Sequence, residues 1–260
     1  MLRPRRMLIH PQYEAFYGSI ARVGKGSVQT LFYQFLGFPL LPQGTYWVEG
    51  SALTSWSDLR VTELRRDWRS IGVGYLRGWS TSLAVWLLGI GILFAFLPGQ
   101  AMFAGDPMPF GRSVAVPIAI VLGVLALFAA IVIWIATRFP VSGDELARRA
   151  IYQRFLGTAI DPALLDNPWS PRDDLKRAMA NVAEQLGIGR STQTFDRWSE
   201  IALRPDLALP DFLRMALTTA RLCEASPEEG RDAASYRMVQ DAIWSRLVAI
   251  DPSARSARPS

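Results

Sequence analysis

Two long uncharged runs divide the chain. No Asp, Glu, Lys or Arg occurs in residues 78–105, between Arg77 and Asp106, or in residues 113–137, between Arg112 and Arg138. Inside them, residues 79–97 (WSTSLAVWLLGIGILFAFL) and 114–136 (VAVPIAIVLGVLALFAAIVIWIA) are apolar on every helical face. A helix on a soluble surface carries a polar face, whereas about 20 apolar residues cross a hydrocarbon core of about 30 Å. The pattern predicts a two-helix transmembrane hairpin over residues 71–137, with spans at 79–97 and 114–136. Pro98, Gly99, Pro107 and Pro109 suit an outer loop at 98–113, because they interrupt helices.

The pattern changes on either side. Residues 15–23, 28–36 and 45–49 alternate or are rich in strand formers, and residues 59–64 form a fourth candidate. Gly24-Lys25-Gly26 reads as a hairpin turn, and Pro39 and Pro42 separate the second strand from the third. Residues 1–70 are therefore expected to form a small antiparallel β-rich module. A sheet of this size needs a supporting surface, supplied by membrane, by the rest of the chain or by a partner. Residues 141–252 read as an all-α domain. Ser142 with Glu145 makes a capping box, and Gly157 ends that helix. Ser170-Pro171 opens the next helix, with Leu175, Met179, Val182 and Leu186 as its stripe and Gly187 as its stop. Further helices are expected over 195–203, from Pro210, and from Ser226-Pro227 onward. Residues 253–260 are expected to be a disordered tail.

Arginine fixes the expected orientation. Arg60, Arg65, Arg66, Arg69 and Arg77 approach the first span, and Arg138, Arg148, Arg149 and Arg154 follow the second; the loop holds only Arg112. By the positive-inside rule both termini face the cytoplasm of a multi-pass inner-membrane protein. Trp79 and Trp134 fall at the inner boundary, where indoles favour headgroups. The opening MLRPRRMLIHPQ lacks the apolar run of a secretory signal, so the first span is expected to direct insertion. Residues 1–77 carry ten basic and five acidic side chains, and residues 138–260 carry seventeen of each. The formal excess of +5 thus sits at the N-terminal end. Arg65, Arg66, Arg69, Arg77 and Arg138 either contact lipid headgroups or only set topology. The modest charge argues against nucleic acid as a partner.

Small residues fall on one face of each span: Ala84, Gly91 and Ala95 on the first, Ala115, Ala119, Gly123, Ala126 and Ala130 on the second. Such faces let backbones approach closely in lipid. They serve either packing between the two spans or a homo-oligomer. Neither span holds an ionisable residue, which argues against a proton relay or an ion path through one chain.

Candidate chemistry is sparse. The 260 residues, half of them hydrophobic, contain one histidine, His10, and one cysteine, Cys223, so no disulfide forms within the chain and metal ligands are few. Gly24-Lys25-Gly26-Ser27 lacks the earlier glycine and following helix of a phosphate loop. Cys223 sits among Ala220 and Leu222 as a small buried hydrophobe. The acidic pairs Asp144-Glu145, Asp173-Asp174 and Glu228-Glu229 each fall in the first turn of an expected helix, which accounts for them without a metal. No catalytic residue, metal ligand or cofactor is assigned.

The string VGKGSVQTLFYQFLGFPLLPQGTYWV, residues 23–48, resembles a short module of uncharacterised bacterial two-span membrane proteins: an aromatic-rich β-hairpin, a Pro-Leu-x-Pro turn and a strand opening Ser/Thr-Tyr. Some such modules are similar to degenerate zinc ribbons; this chain lacks their cysteines. The resemblance implies a membrane location and carries no activity. The expectation is an integral inner-membrane protein, a non-enzymatic anchor or interaction module whose helical domain takes a cytoplasmic protein partner. The alternative is a subunit of an oligomeric channel or transporter, and a third reading is an enzyme built on scattered carboxylates and arginines.

Overall fold

The computed structural model describes residues 5–7, 10, 12–50, 60–96, 109–138, 140–188, 194–228 and 230–259; the side chains of 5–6, 94–96, 109–116 and 119 also lie outside the description. An antiparallel sheet is followed by two long helices and then by a helical C-terminal part. The strands are β1 (Arg5–Arg6), β2 (Glu14–Val23), β3 (Gly26–Phe35), β4 (Phe38–Glu49) and β5 (Arg60–Leu64), in the spatial order β1-β5-β4-β3-β2. The long helices are α1 (Trp68–Phe96) and α2 (Pro109–Ala136). Then come α3 (Gly143–Leu156), a 3-10 turn (Pro162–Leu164), α4 (Trp169–Gln185), α5 (Phe195–Leu203), α6 (Pro210–Ala225), α7 (Ala233–Ile250) and a second 3-10 turn (Pro252–Ser256).

β4 is one strand where the prolines were expected to break it. Only Thr45–Glu49 of β4 pairs with β5, so Pro39 and Pro42 lie in its outer part, which pairs on one side alone. There a missing N–H is tolerated, and the pairing with β3 shifts register at Gln43 and Leu40, the extra residues of β4 next to the prolines. The β3–β4 connection is the two-residue turn Leu36-Gly37, with φ of +52° and +86°. Both values suit a type I′ hairpin, which usually takes Asn-Gly. A leucine at positive φ is costly, by roughly 1–2 kcal/mol.

The sheet does not stand alone. Successive strand residues alternate faces, so Val28, Thr30 and Phe32 share one face with Thr45, Trp47 and Leu64. Near the β2–β3 turn, Val23, Val28, Trp47 and Leu64 enter the same core as Ile151, Leu156, Met179, Leu217 and Tyr236 of the helical part. Leu64 bridges Leu165, and the Arg65 N–H donates to the Leu164 carbonyl at 2.8 Å. Farther along the same face, α1 takes over. The buried Thr30 hydroxyl donates to Ser70 at 2.9 Å, and Ser70 donates to the Gly18 carbonyl at 3.1 Å. The Phe32 ring meets Tyr75 edge-on at 4.9 Å. The required support thus comes from the chain itself.

In the helical part, Ser142 accepts from the Glu145 N–H at 3.2 Å, and Gly157 ends α3 at φ +82°, as the capping pattern requires. Two helix starts differ from expectation. α4 begins at Trp169, with Ser170 already inside its first turn, and Asn167 Oδ1 accepts from the Trp169 N–H at 3.2 Å. α7 begins at Ala233, capped by Asp232, which accepts from the Ser235 N–H at 2.9 Å; Ser226 instead ends α6. Asp232→Ala is therefore expected to lower the unfolding free energy by about 1 kcal/mol, and Ser226→Ala to leave it nearly unchanged, by denaturant titration. Of the tail expected to be disordered, residues 253–256 continue a 3-10 turn from Pro252. Asp251 caps Ser253 at 3.1 Å, Ala254 is buried, and Arg255 pairs with Asp144 at 3.0 Å, which holds residues 252–256 against α3.

Candidate functional site

The outer side of the α1–α2 pair is an extended apolar surface among the described residues. These helices run antiparallel: Arg77 of α1 meets Thr137 just past α2, and Gly123 lies against Leu88. Val85 and Leu93 on α1, and Leu125, Phe128 and Ile135 on α2, are more than half exposed. Over Trp68–Leu93 the helix is long and apolar enough to cross a membrane, with a mean hydropathy of 1.3 and 22% of its most apolar stretch buried. A core helix of a soluble protein would be mostly buried. Among the described residues this is the one helix that meets the length test; the apolar stretch Ile120–Ala136 is shorter. Two spans were expected, at 79–97 and 114–136; one helix passes, and at the second position the structure has only the shorter apolar stretch. The expected loop is also shorter than 98–113, because α2 already begins at Pro109; residues 98–108 lie outside the described residues.

The small residues lie largely within the pair. Ala84 is fully buried, and Gly91, Gly123 and Ala130 are buried as well. A Cβ at Gly123 would come within 2.8 Å of Leu88, so only glycine allows this approach. Ala126 is half-buried. The side chains of Ala95, Ala115 and Ala119 lie outside the described residues.

Several of the expected headgroup arginines are engaged by the protein. Arg77 donates to the Thr137 hydroxyl and carbonyl, both at 2.8 Å, and to the Ser19 carbonyl at 2.9 Å, closing the base of the hairpin onto β2. Arg138 stacks over Trp134 at 3.9 Å. Arg65 donates to the Ala225 carbonyl at 2.8 Å and ties the sheet to α6. Arg66, beside Trp68 at 5.8 Å, and Arg69 are exposed.

One constellation was not legible in the sequence. Tyr75, Trp79, Ser82 and Trp86 recur at helical spacing along one stripe of α1. Each donates to a carbonyl at the end of the β3–β4 hairpin: Tyr75 to Leu40 at 2.7 Å, Trp79 to Pro39 at 3.0 Å, Ser82 to Gly37 at 2.5 Å and Trp86 to Leu36 at 3.0 Å. Tyr17 donates to Gly37 as well, at 2.9 Å. Gly78 admits the contact, since a Cβ there would lie 2.5 Å from Pro39. The signal was present as four donors within otherwise apolar sequence, but their acceptors are backbone atoms of a distant turn.

The remaining polar residues have structural settings. Cys223 is buried, and burial pushes its thiol up to about 11, so it is held as the neutral thiol. His10 is exposed, and its backbone N–H donates to Glu14 Oε2 at 3.1 Å. Of the acidic pairs, Asp144-Glu145 lies in the first turn of α3. Asp173-Asp174 comes after the first turn of α4, where Asp174 pairs with Arg177, and Glu228 precedes α7 and pairs with Lys176. Helix-end electrostatics therefore explains the first pair, and ion pairing accounts for Asp174 and Glu228; Glu229 lies outside the described residues. Among the described residues no group of three or more His, Cys, Asp or Glu is placed to hold a metal ion. Compared with protein-family models, curated proteins and solved structures, the chain matches none of them.

Proposed function

We propose that the chain is an integral inner-membrane protein of bacterial type, held by α1 and α2 as a transmembrane hairpin, and that it acts as a non-enzymatic anchor presenting the sheet and helical domain to a cytoplasmic partner. The observation that carries this reading is the uncharged, exposed apolar surface along both helices, the kind of surface that marks a membrane or interaction site. Its support is the junction at the base: Arg77, Thr137, Trp134 and Arg138 gather cations and an indole where the helices leave the sheet. The core shared by sheet and helical domain supports reading both as lying on one side of the membrane. The channel alternative has less to draw on, because Ala84, Gly91, Gly123 and Ala130 are already buried within one chain.

The full chain is expected to resist alkaline extraction from membranes and to require detergent for purification. Reporter fusions at residue 105 and at the C-terminus are expected to give opposite sides. A chain that stays monodisperse in plain buffer without detergent overturns the reading. Affinity capture of the full chain with a specific soluble protein tests the anchoring role, and consistent recovery of none counts against it.

A further inference from the structure

We infer that the end of the β3–β4 hairpin, residues 35–41, is seated in the acyl region of the bilayer beside α1, as a wedge in the same leaflet that the sheet and helical domain face. The inference rests on the transmembrane reading above and adds a second membrane-embedded element to it. Three independent observations carry it.

The first is length. Counting back about 20 residues from Phe96 places the entry of α1 into hydrocarbon near Arg77. That is where Arg77 binds Thr137, the residue after α2. The partners of the hairpin on α1 run past that boundary, since at 1.5 Å per residue Ser82 lies about 7 Å and Trp86 about 13 Å beyond it. The segment of α1 beyond Trp86 would span only about 15 Å, too little to cross alone. A span built from α1 therefore carries the hairpin end with it.

The second is surface chemistry. Residues 26–48 contain no charged side chain. Phe35 and Leu41 are each 63% exposed, and Leu36 occupies the outermost turn at positive φ, where a water-facing hairpin takes asparagine. These exposed apolar side chains lie at the hairpin end that packs on α1.

The third is backbone satisfaction. Non-helical backbone persists at membrane depth only where protein groups replace water. Tyr75, Trp79, Ser82 and Trp86 supply donors to four of the carbonyls at this end, and Pro39 and Pro42 bring no N–H. In lipid, where no water can stand in, such donors are required.

The test uses the full chain in vesicles of phosphatidylethanolamine and phosphatidylglycerol, with an environment-sensitive thiol dye at Leu41→Cys, at Phe128→Cys on α2, or at Arg237→Cys on the exposed helical domain. Buried Cys223 stays unlabelled, which the unsubstituted chain checks. Nitroxide-bearing acyl chains are expected to quench the dye at 41 to within about twofold of that at 128. Aqueous iodide is expected to quench 237 alone. Iodide quenching at 41 with lipid quenching retained at 128 overturns the wedge and leaves the hairpin span standing. Iodide access at both 41 and 128 overturns the spanning reading itself. Protection of 41 from both quenchers means protein covers it, such as a second copy, and also overturns the wedge.

Discussion

Replacing Arg221 by methionine will destabilise the helical domain by about 3–5 kcal/mol at neutral pH, because it strands a buried carboxylate. Arg221 clasps Asp161 through two bonds, at 2.8 and 2.6 Å, and Asp161 is nearly buried. Burial pushes the Asp161 carboxyl up, but the hydrogen-bonded Arg221 guanidinium outweighs it. With the Ala163 N–H and Arg149 adding to the effect, the group ends below its ordinary value. A depressed carboxylate contributes stability that is present above its unfolded pKa, near 4, and is lost as pH falls through the lower folded value. The gap between wild type and Arg221→Met should therefore narrow on acidification from pH 7 to below about pH 4. Adding Asp161→Asn to the variant should recover part of the loss. Unfolding titrations in detergent at the two pH values read all three outcomes. Asp161 also opens the 3-10 turn that brings Leu164 and Leu165 to β5, so the damage should spread to the junction with the sheet.

Gly18→Ala will be comparably severe, at about 2–5 kcal/mol, combining a crowded contact with a left-handed backbone. Gly18 has φ +73°, and a Cβ there would sit 2.0 Å from the Ser70 carbonyl and 2.8 Å from the Gly74 nitrogen. Both are backbone atoms of α1, so relief requires the helix to move away from β2. That movement breaks the Ser70 bond to the Gly18 carbonyl and loosens the Thr30 hydroxyl behind it. Two neighbours provide the scale. At Gly74 the obstacle is the Phe32 ring, a side chain at 2.6 Å, so Gly74→Ala should cost less. Nothing lies within 4 Å of a Cβ at Gly72, where alanine should stabilise α1 by up to about 1 kcal/mol. Thermal unfolding of the three variants in one detergent ranks them, and a Gly18→Ala protein as stable as Gly74→Ala would contradict the contact.

What could be read from the sequence was what is encoded locally. The Ser142 cap, the Gly157 and Gly187 stops and the bounds of α5 follow from groups within a few residues of one another. So does the antiparallel arrangement of β2 and β3 about Gly24-Lys25. The misreadings came where distant neighbours decide. Pro39 and Pro42 look like strand breakers until one knows that outer β4 pairs only with β3. Ser226-Pro227 has the form of a helix start, yet Asp232 makes the cap. The tail composition suggests disorder, yet Ala254 fits a core assembled from the whole domain. Arg65 and Arg77 read as headgroup residues, but their guanidinium groups meet carbonyls of α6 and β2 that are far away in sequence. The apolar runs were legible by length and charge alone, whereas the donors that bind the hairpin end to α1 were not.

α1 runs from Trp68 to Phe96 as one helix, fixed to the sheet in its first turns and continuing into the apolar pair without a linker. The sheet in turn shares a core with the helical domain. An apolar helix responds to a thinner or thicker bilayer by tilting. If the helix spans a bilayer as proposed, no joint absorbs that rotation, and the helical domain would swing with it like a pointer on a shaft.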